Sequence, residues 1–169
     1  DTTDYRVFNV ASGLSNASSS YFHNSINGYH AAKLRRFQEY YDYLSFHDNE
    51  KLFNSLNVKY LIAKDENNED QLYQNPDALG NAWPVDSLIT VDTADELLIK
   101  LKDTDISKVA LSINNSIPSS ISKEYNSGDL VKIEKTKISS SHITYEFESL
   151  SDQLLVFSEI YYPSGWEVY

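Results

Sequence analysis

Four histidines, His23, His30, His47 and His142, are the first side chains to test for chemistry. His23 and His30 stand seven residues apart. With Asp42 or Asp48 they would supply the nitrogen and oxygen donors that hold a transition metal. Asn27-Gly28 falls between them and marks a turn, so the two rings do not share a helix face and only the tertiary fold would bring them together. No metal site is expected. The run Asp65-Glu66-Asn67-Asn68-Glu69-Asp70 is rich in oxygen ligands. A calcium loop of the EF-hand kind needs Gly at its sixth position and Glu at its twelfth. Asp70 and Pro76 occupy those positions, so the run reads as a solvated acidic turn.

Covalent catalysis has little to work with. There is no Cys, which excludes thiolate nucleophiles, thiolate metal sites and disulfides. Gly-x-Ser-x-Gly does not occur. Neither a phosphate-binding Gly-rich loop nor a dinucleotide fingerprint is present, and the chain has five Gly in all. Carboxylate pairs such as Asp103 and Asp105 are unavoidable among 25 acidic residues and need a pocket before they mean anything. No catalytic residue and no cofactor are expected.

The best binding candidate is the segment from Tyr21 to Arg36. It gathers aromatics, two His and three cations inside a chain whose net charge is −11. His23, Tyr29, His30, Lys33, Arg35 and Arg36 would form a positive island able to hold an anionic group such as a phosphate. Tyr29 and Trp83 offer flat faces on which a sugar ring can stack. Beside this stands a plainer reading, in which the aromatics pack and the cations neutralise nearby carboxylates.

These residues need a scaffold, and composition allows one. Hydrophobic residues make up 41% and charged residues 23% of 169, with 13 Tyr, 7 Phe and 2 Trp, a balance that builds a core and argues against wholesale disorder. The acidic surface would repel phosphate backbones, so no nucleic-acid partner is expected. No run approaches the length of a membrane span. Asp1 and the absence of Met fit a piece of a longer chain, and a returning strand is expected after the turn at Pro163-Ser164-Gly165.

Periodicity predicts the elements. Arg6–Val10 reads as a strand and Ala11–Ser20 as a loop. A helix is expected over Ala31–Leu44, with Leu34, Phe37, Tyr41 and Leu44 on one stripe. A short helix follows at Asn49–Leu56, then a strand at Val58–Ala63 and a hairpin return at Leu72-Tyr73. Leu88–Val91 and Val109–Ser112 read as strands flanking a helix that opens at Thr93, where Thr93 and Glu96 make a capping box. From about Ile121 the pattern turns to period two. Leu130–Glu134, His142–Glu148 and Leu154–Tyr161 read as an antiparallel meander. The expected class is α+β: a mixed α/β part over residues 1–118, then an antiparallel all-β part over 119–169 that continues in the parent chain.

Four stretches occur in a telling order. They are Tyr21-Phe22-His23 with Asn27-Gly28-Tyr29-His30-Ala31-Ala32-Lys33-Leu34; Leu56-Asn57-Val58-Lys59-Tyr60-Leu61-Ile62; Asn75-Pro76-Asp77-Ala78-Leu79-Gly80-Asn81-Ala82-Trp83; and Leu155 to Trp166. Together they resemble the extracytoplasmic C-terminal region of YfhO-type bacterial membrane proteins, polytopic proteins related to GT-C glycosyltransferases. The resemblance covers about Tyr21 to Tyr169. It departs at Pro84, where an aromatic would follow the Trp. It implies a non-catalytic domain on the extracytoplasmic (periplasmic) face, partnered by the membrane-embedded part of the same chain and by glycan or a polyprenyl-phosphate sugar. In such enzymes the catalytic acid lies in an early loop outside this segment, so no catalytic residue carries over. A monomer is expected. The alternative function is a carbohydrate-binding or adhesive module of a bacterial surface protein.

Overall fold

The computed structural model describes residues 4–15, 19–26, 34–118, 120–139, 141–162 and 164–169. Among these it contains three α-helices and nine strands, a mixed α+β fold. They gather into two units, Asp1–Gly80 with Ser158–Tyr169, and Asn81–Phe157. The division differs from the one composition predicts at Pro118. Long-range strand pairing, which composition does not register, ties residues 82–85 to residues 154–157 within the second unit, while Ser158–Tyr169 returns to the first.

The first unit is a three-stranded sheet covered by two helices. Strand β1 (Arg6–Asn9) runs parallel to β2 (Val58–Lys64), and β2 turns back into β3 (Asp70–Gln74), giving the order β1-β2-β3. Helices α1 (Arg35–His47) and α2 (Asn49–Ser55) lie on the crossover that a parallel pair requires. Leu44, Leu52 and Val58 are fully buried, and Val7 and Phe8 are buried with them. The Phe8 ring meets Phe53 tilted at 5.2 Å and Tyr41 edge-on at 6.3 Å. The predicted first turn of α1 lies partly outside the described residues; Leu34 precedes the helix and Leu44 is its buried anchor. Asp48 separates the helices. Its N–H donates to the Leu44 carbonyl, and its carboxylate accepts from the Lys51 N–H at 2.9 Å, capping α2.

Two polar devices set the corners of this unit. Asn57 takes a left-handed φ of 52° between α2 and β2, a conformation Asn tolerates better than other side-chain-bearing residues. It is buried, and its side-chain amide donates to the Asp4 carbonyl at 2.7 Å. At the hairpin tip, Asp65 accepts from the N–H groups of Asn67 and Glu69 at 2.8 and 2.9 Å. These bonds, led by the one from Glu69, hold its carboxyl below the usual carboxylate range. The acidic run is thus a turn folded around its own first carboxylate.

The second unit contains three strand pairs. Strands β4 (Ala82–Val85) and β9 (Leu154–Phe157) pair antiparallel. Strands β5 (Ser87–Val91) and β6 (Val109–Ile113) pair parallel across α3 (Ala94–Asp103). Strands β7 (Leu130–Ile138) and β8 (Ile143–Ser149) form a hairpin. The predicted capping box forms in altered shape: Thr93 Oγ1 accepts from the Glu96 N–H at 3.2 Å, but the Glu96 carboxylate reaches back one residue further, to the Asp92 N–H at 3.0 Å.

The predicted three-stranded meander does not form. Its third strand ends at Phe157 rather than Tyr161 and pairs with β4, not β8. The turn after β8 is built on Asp129. The Leu150 N–H and the Ser149 hydroxyl both donate to the Asp129 carbonyl, and the Ser151 hydroxyl donates to the Asp129 carboxylate, which fixes the turn. Strand β9 then meets β8 through side chains, Phe157 lying edge-on to Tyr145 at 4.9 Å. Strand β4 itself was not predicted because Pro84 interrupts it. In a two-stranded ladder each strand has an outer edge, where a missing N–H is tolerated.

Candidate functional site

The two ends of the predicted binding segment flank residues that the structure does not describe. Tyr29, His30 and Lys33 lie outside the described residues. His23 is exposed just beyond a single 3₁₀ turn, Ser19–Tyr21, with its N–H bonded to the Ser19 carbonyl at 3.0 Å. The turn leaves Tyr21 85% and Phe22 76% exposed beside it. Arg35 and Arg36 open α1 and are exposed. Arg35 reaches one turn along the helix to Glu39 at 2.6 Å, a local ion pair in water.

Trp83 occupies a different environment. It is 7% exposed, and its indole N–H donates to the Ile106 carbonyl at 2.9 Å. It belongs to the second unit, while His23, Arg35 and Arg36 belong to the first.

The carboxylates near the histidines in sequence are engaged in holding helices. Asp42 accepts from the Gln38 side chain at 2.7 Å, and Asp48 caps α2 and pairs with Lys51 at 3.4 Å. Among the described residues no cluster of three or more His, Asp or Glu side chains forms that would hold a metal ion. Asp105 accepts from the Ser107 N–H and hydroxyl. Asp103 and Asp105 both line an open groove of about 690 Å³ in the second unit, whose walls include Ile89, Val91, Ile99 and Val109. No helix among the described residues is long and apolar enough to cross a membrane.

Sequence reasoning missed two features of the first unit. One is the end of α1, where His47 contacts Tyr43 at 4.4 Å and Phe46 at 4.9 Å between ring centroids, with Phe46 85% exposed. The spacing of Tyr43, Phe46 and His47 at i, i+3 and i+4 is the signal that would have found it. The other is Tyr40, whose hydroxyl meets the Ser55 hydroxyl at 2.5 Å where α1 packs on α2. Loss of hydration pushes the phenol up to about 12, with Asp48 adding to the rise and the Ser55 bond opposing it. The neutral phenol is the form the fold prefers. The resulting stability is fully present below about pH 10 and is lost as pH rises toward about 12. An ultraviolet titration of the folded chain is expected to show a late ionising step from Tyr40. Tyr40→Phe should remove that late step and flatten the alkaline loss of stability; an unchanged titration would place the late tyrosine elsewhere.

No protein-family model, no curated protein and no solved structure matches this chain.

Proposed function

We propose that this chain is a non-catalytic extracytoplasmic domain of a YfhO-type, GT-C-like membrane glycosyltransferase, placed on the periplasmic face. There it presents a contact surface to glycan or polyprenyl-phosphate sugar beside the membrane-embedded part of its own chain. The observation that supports this reading most is the contrast among the motifs that carry the resemblance. Asn57 and Asn75 hold backbone: Asn75 donates to Asn54 Oδ1 at 2.8 Å and to the Val58 carbonyl at 2.9 Å. Gly80 supplies a φ of 84°, and Trp83 fills core. Of the first motif, Tyr21, Phe22 and His23 are the opposite and are exposed. Exposed aromatics, with the exposed Arg35 and Arg36 that open α1 in the same unit, suit a ligand that combines a sugar face with a phosphate.

Amide chemical-shift titration with sugars and short polyprenyl-phosphate analogues tests it. Shifts are expected at Tyr21 to His23 and at Arg35 and Arg36, with a smaller response to the sugar lacking phosphate. Shifts confined to β7 and β8 would favour the carbohydrate-module reading. No shift at millimolar ligand would leave the fragment only a bracing role.

A further inference from the structure

The sheet of the first unit has one closed and one open edge. On the closed side, the Val7 N–H donates to the Asn24 carbonyl and Val7 bridges Ser25, which covers β1. On the other side lies β3, all five residues of which are exposed, including Leu72 at 63% and Tyr73 at 48%.

The ladder shows which groups face outward. The Asn75 N–H donates to the Lys59 carbonyl and the Asp65 N–H to the Glu69 carbonyl, so these are hydrogen-bonded pairs. Antiparallel pairs alternate. Within the register, Tyr73 with Leu61 and Gln71 with Ala63 therefore also bond inward. The N–H and C=O groups of Asp70, Leu72 and Gln74 point away from β2, and no backbone partner meets them among the described residues.

We propose that two copies of this chain pair antiparallel through β3, with Leu72 meeting Leu72 on the two-fold axis. The outward groups fit this register without a gap. Asp70 faces Gln74, Leu72 faces itself, and Gln74 faces Asp70, each as a hydrogen-bonded pair. Charge fits as well. No carboxylate faces a carboxylate across the axis, and Asp70 is already paired with Lys64 at 2.8 Å within its own copy. The antiparallel arrangement also places the two acidic hairpin tips at opposite ends. Leu72 meets its copy and Tyr73 meets Gln71, which covers the apolar side chains that β3 otherwise gives to water. One short strand pair covers less than the roughly 1,200 Å² of a stable interface, so association is weak and the monomer expected from the sequence is its dilute limit.

The chain has no Cys, so a single introduced thiol reads the register directly. Across a hydrogen-bonded pair the Cα atoms stand about 5.5 Å apart, within the range a disulfide spans. Leu72→Cys is expected to oxidise to a dimer at millimolar protein. Gln71→Cys is the control. Its thiols would be offset along the strands by two residues of about 3.4 Å each, and should not link. Leu72→Pro removes only an outward N–H and should abolish the concentration-dependent dimer seen by sedimentation, with the thermal transition retained. Leu72→Lys, which sets like charges on the axis, serves if the proline variant does not fold. Equal linking of both thiols, or of neither, overturns the pairing. So does a chain that stays monomeric at millimolar concentration, including one whose Leu72 amide responds only to an added extended peptide.

Discussion

Arg6→Ala is expected to destabilise the first unit by about 2–3 kcal/mol, read as a lower urea midpoint at unchanged slope. The Arg6 guanidinium donates to the Leu56 carbonyl at 2.8 Å, the Ser158 carbonyl at 3.0 Å and the Glu159 carboxylate at 3.1 Å. It therefore ties the first strand, the end of α2 and the returning C-terminal segment of the same unit. Ser158 is 3% exposed, so its carbonyl has little access to replacement water. Truncation leaves two carbonyls and a carboxylate short of a donor, which is more damaging than the net worth of the bonds themselves. The pair is not fully enclosed, with Arg6 and Glu159 side chains 18% and 24% exposed, and solvent keeps the loss below that of a deeply buried ion pair. Arg6→Lys should recover less than half, because one ammonium cannot reproduce a planar fork aimed at three acceptors. Glu159→Gln should cost under about 1 kcal/mol, since the amide oxygen still accepts while both carbonyl bonds remain. Equal losses for the alanine and glutamine variants would show that the charge, not the carbonyl clamp, holds the segment.

Local signals in this sequence translated into structure, and distant ones did not. The stripe ending at Leu44 and the box at Thr93 depend on residues three and four apart. The box appears shifted by one residue, and the stripe keeps Phe37, Tyr41 and Leu44 while Leu34 precedes the helix and is 38% exposed. The Asp65 turn and its hairpin were legible for the same reason. Arg6 was not, because its partners Ser158 and Glu159 stand at the far end of the chain and nothing in Arg6-Val7-Phe8-Asn9 announces them. The partner of β9 was hidden likewise. Alternating residues specify a strand but not which edge it joins, and β4, the partner of β9, lies far earlier in the chain, at residues 82–85. Of the binding segment, residue type marked the exposed Tyr21, Phe22 and His23 as a group. It did not distinguish them from Trp83, because an aromatic ring serves a core and a ligand equally well and only burial separates the uses.

That ambiguity makes Trp83 the second decisive position. Trp83→Ala is expected to cost about 3–5 kcal/mol, the range for removing a large aromatic from a packed interior. Val85, the neighbour two residues along the same strand face, is fully buried, and Val156 stands opposite Trp83 in β9. Loss of the indole would thus open the β4–β9 pair, the contact that holds residues 154–157 in the second unit. Hydrogen exchange is expected to accelerate first at positions 82, 83 and 85 and at residues 154–157, and the first unit, which does not include Trp83, should keep its protection. Trp83→Phe separates shape from hydrogen bonding. It keeps a ring but leaves the Ile106 carbonyl without its donor, for a loss of about 1–2 kcal/mol. The measurement discriminates because a sugar platform behaves in the opposite way: its alanine variant would fold with unchanged exchange and lose only ligand response. Retained stability in Trp83→Ala together with weakened sugar binding would therefore return Trp83 to the contact surface and remove it from the core of the second unit.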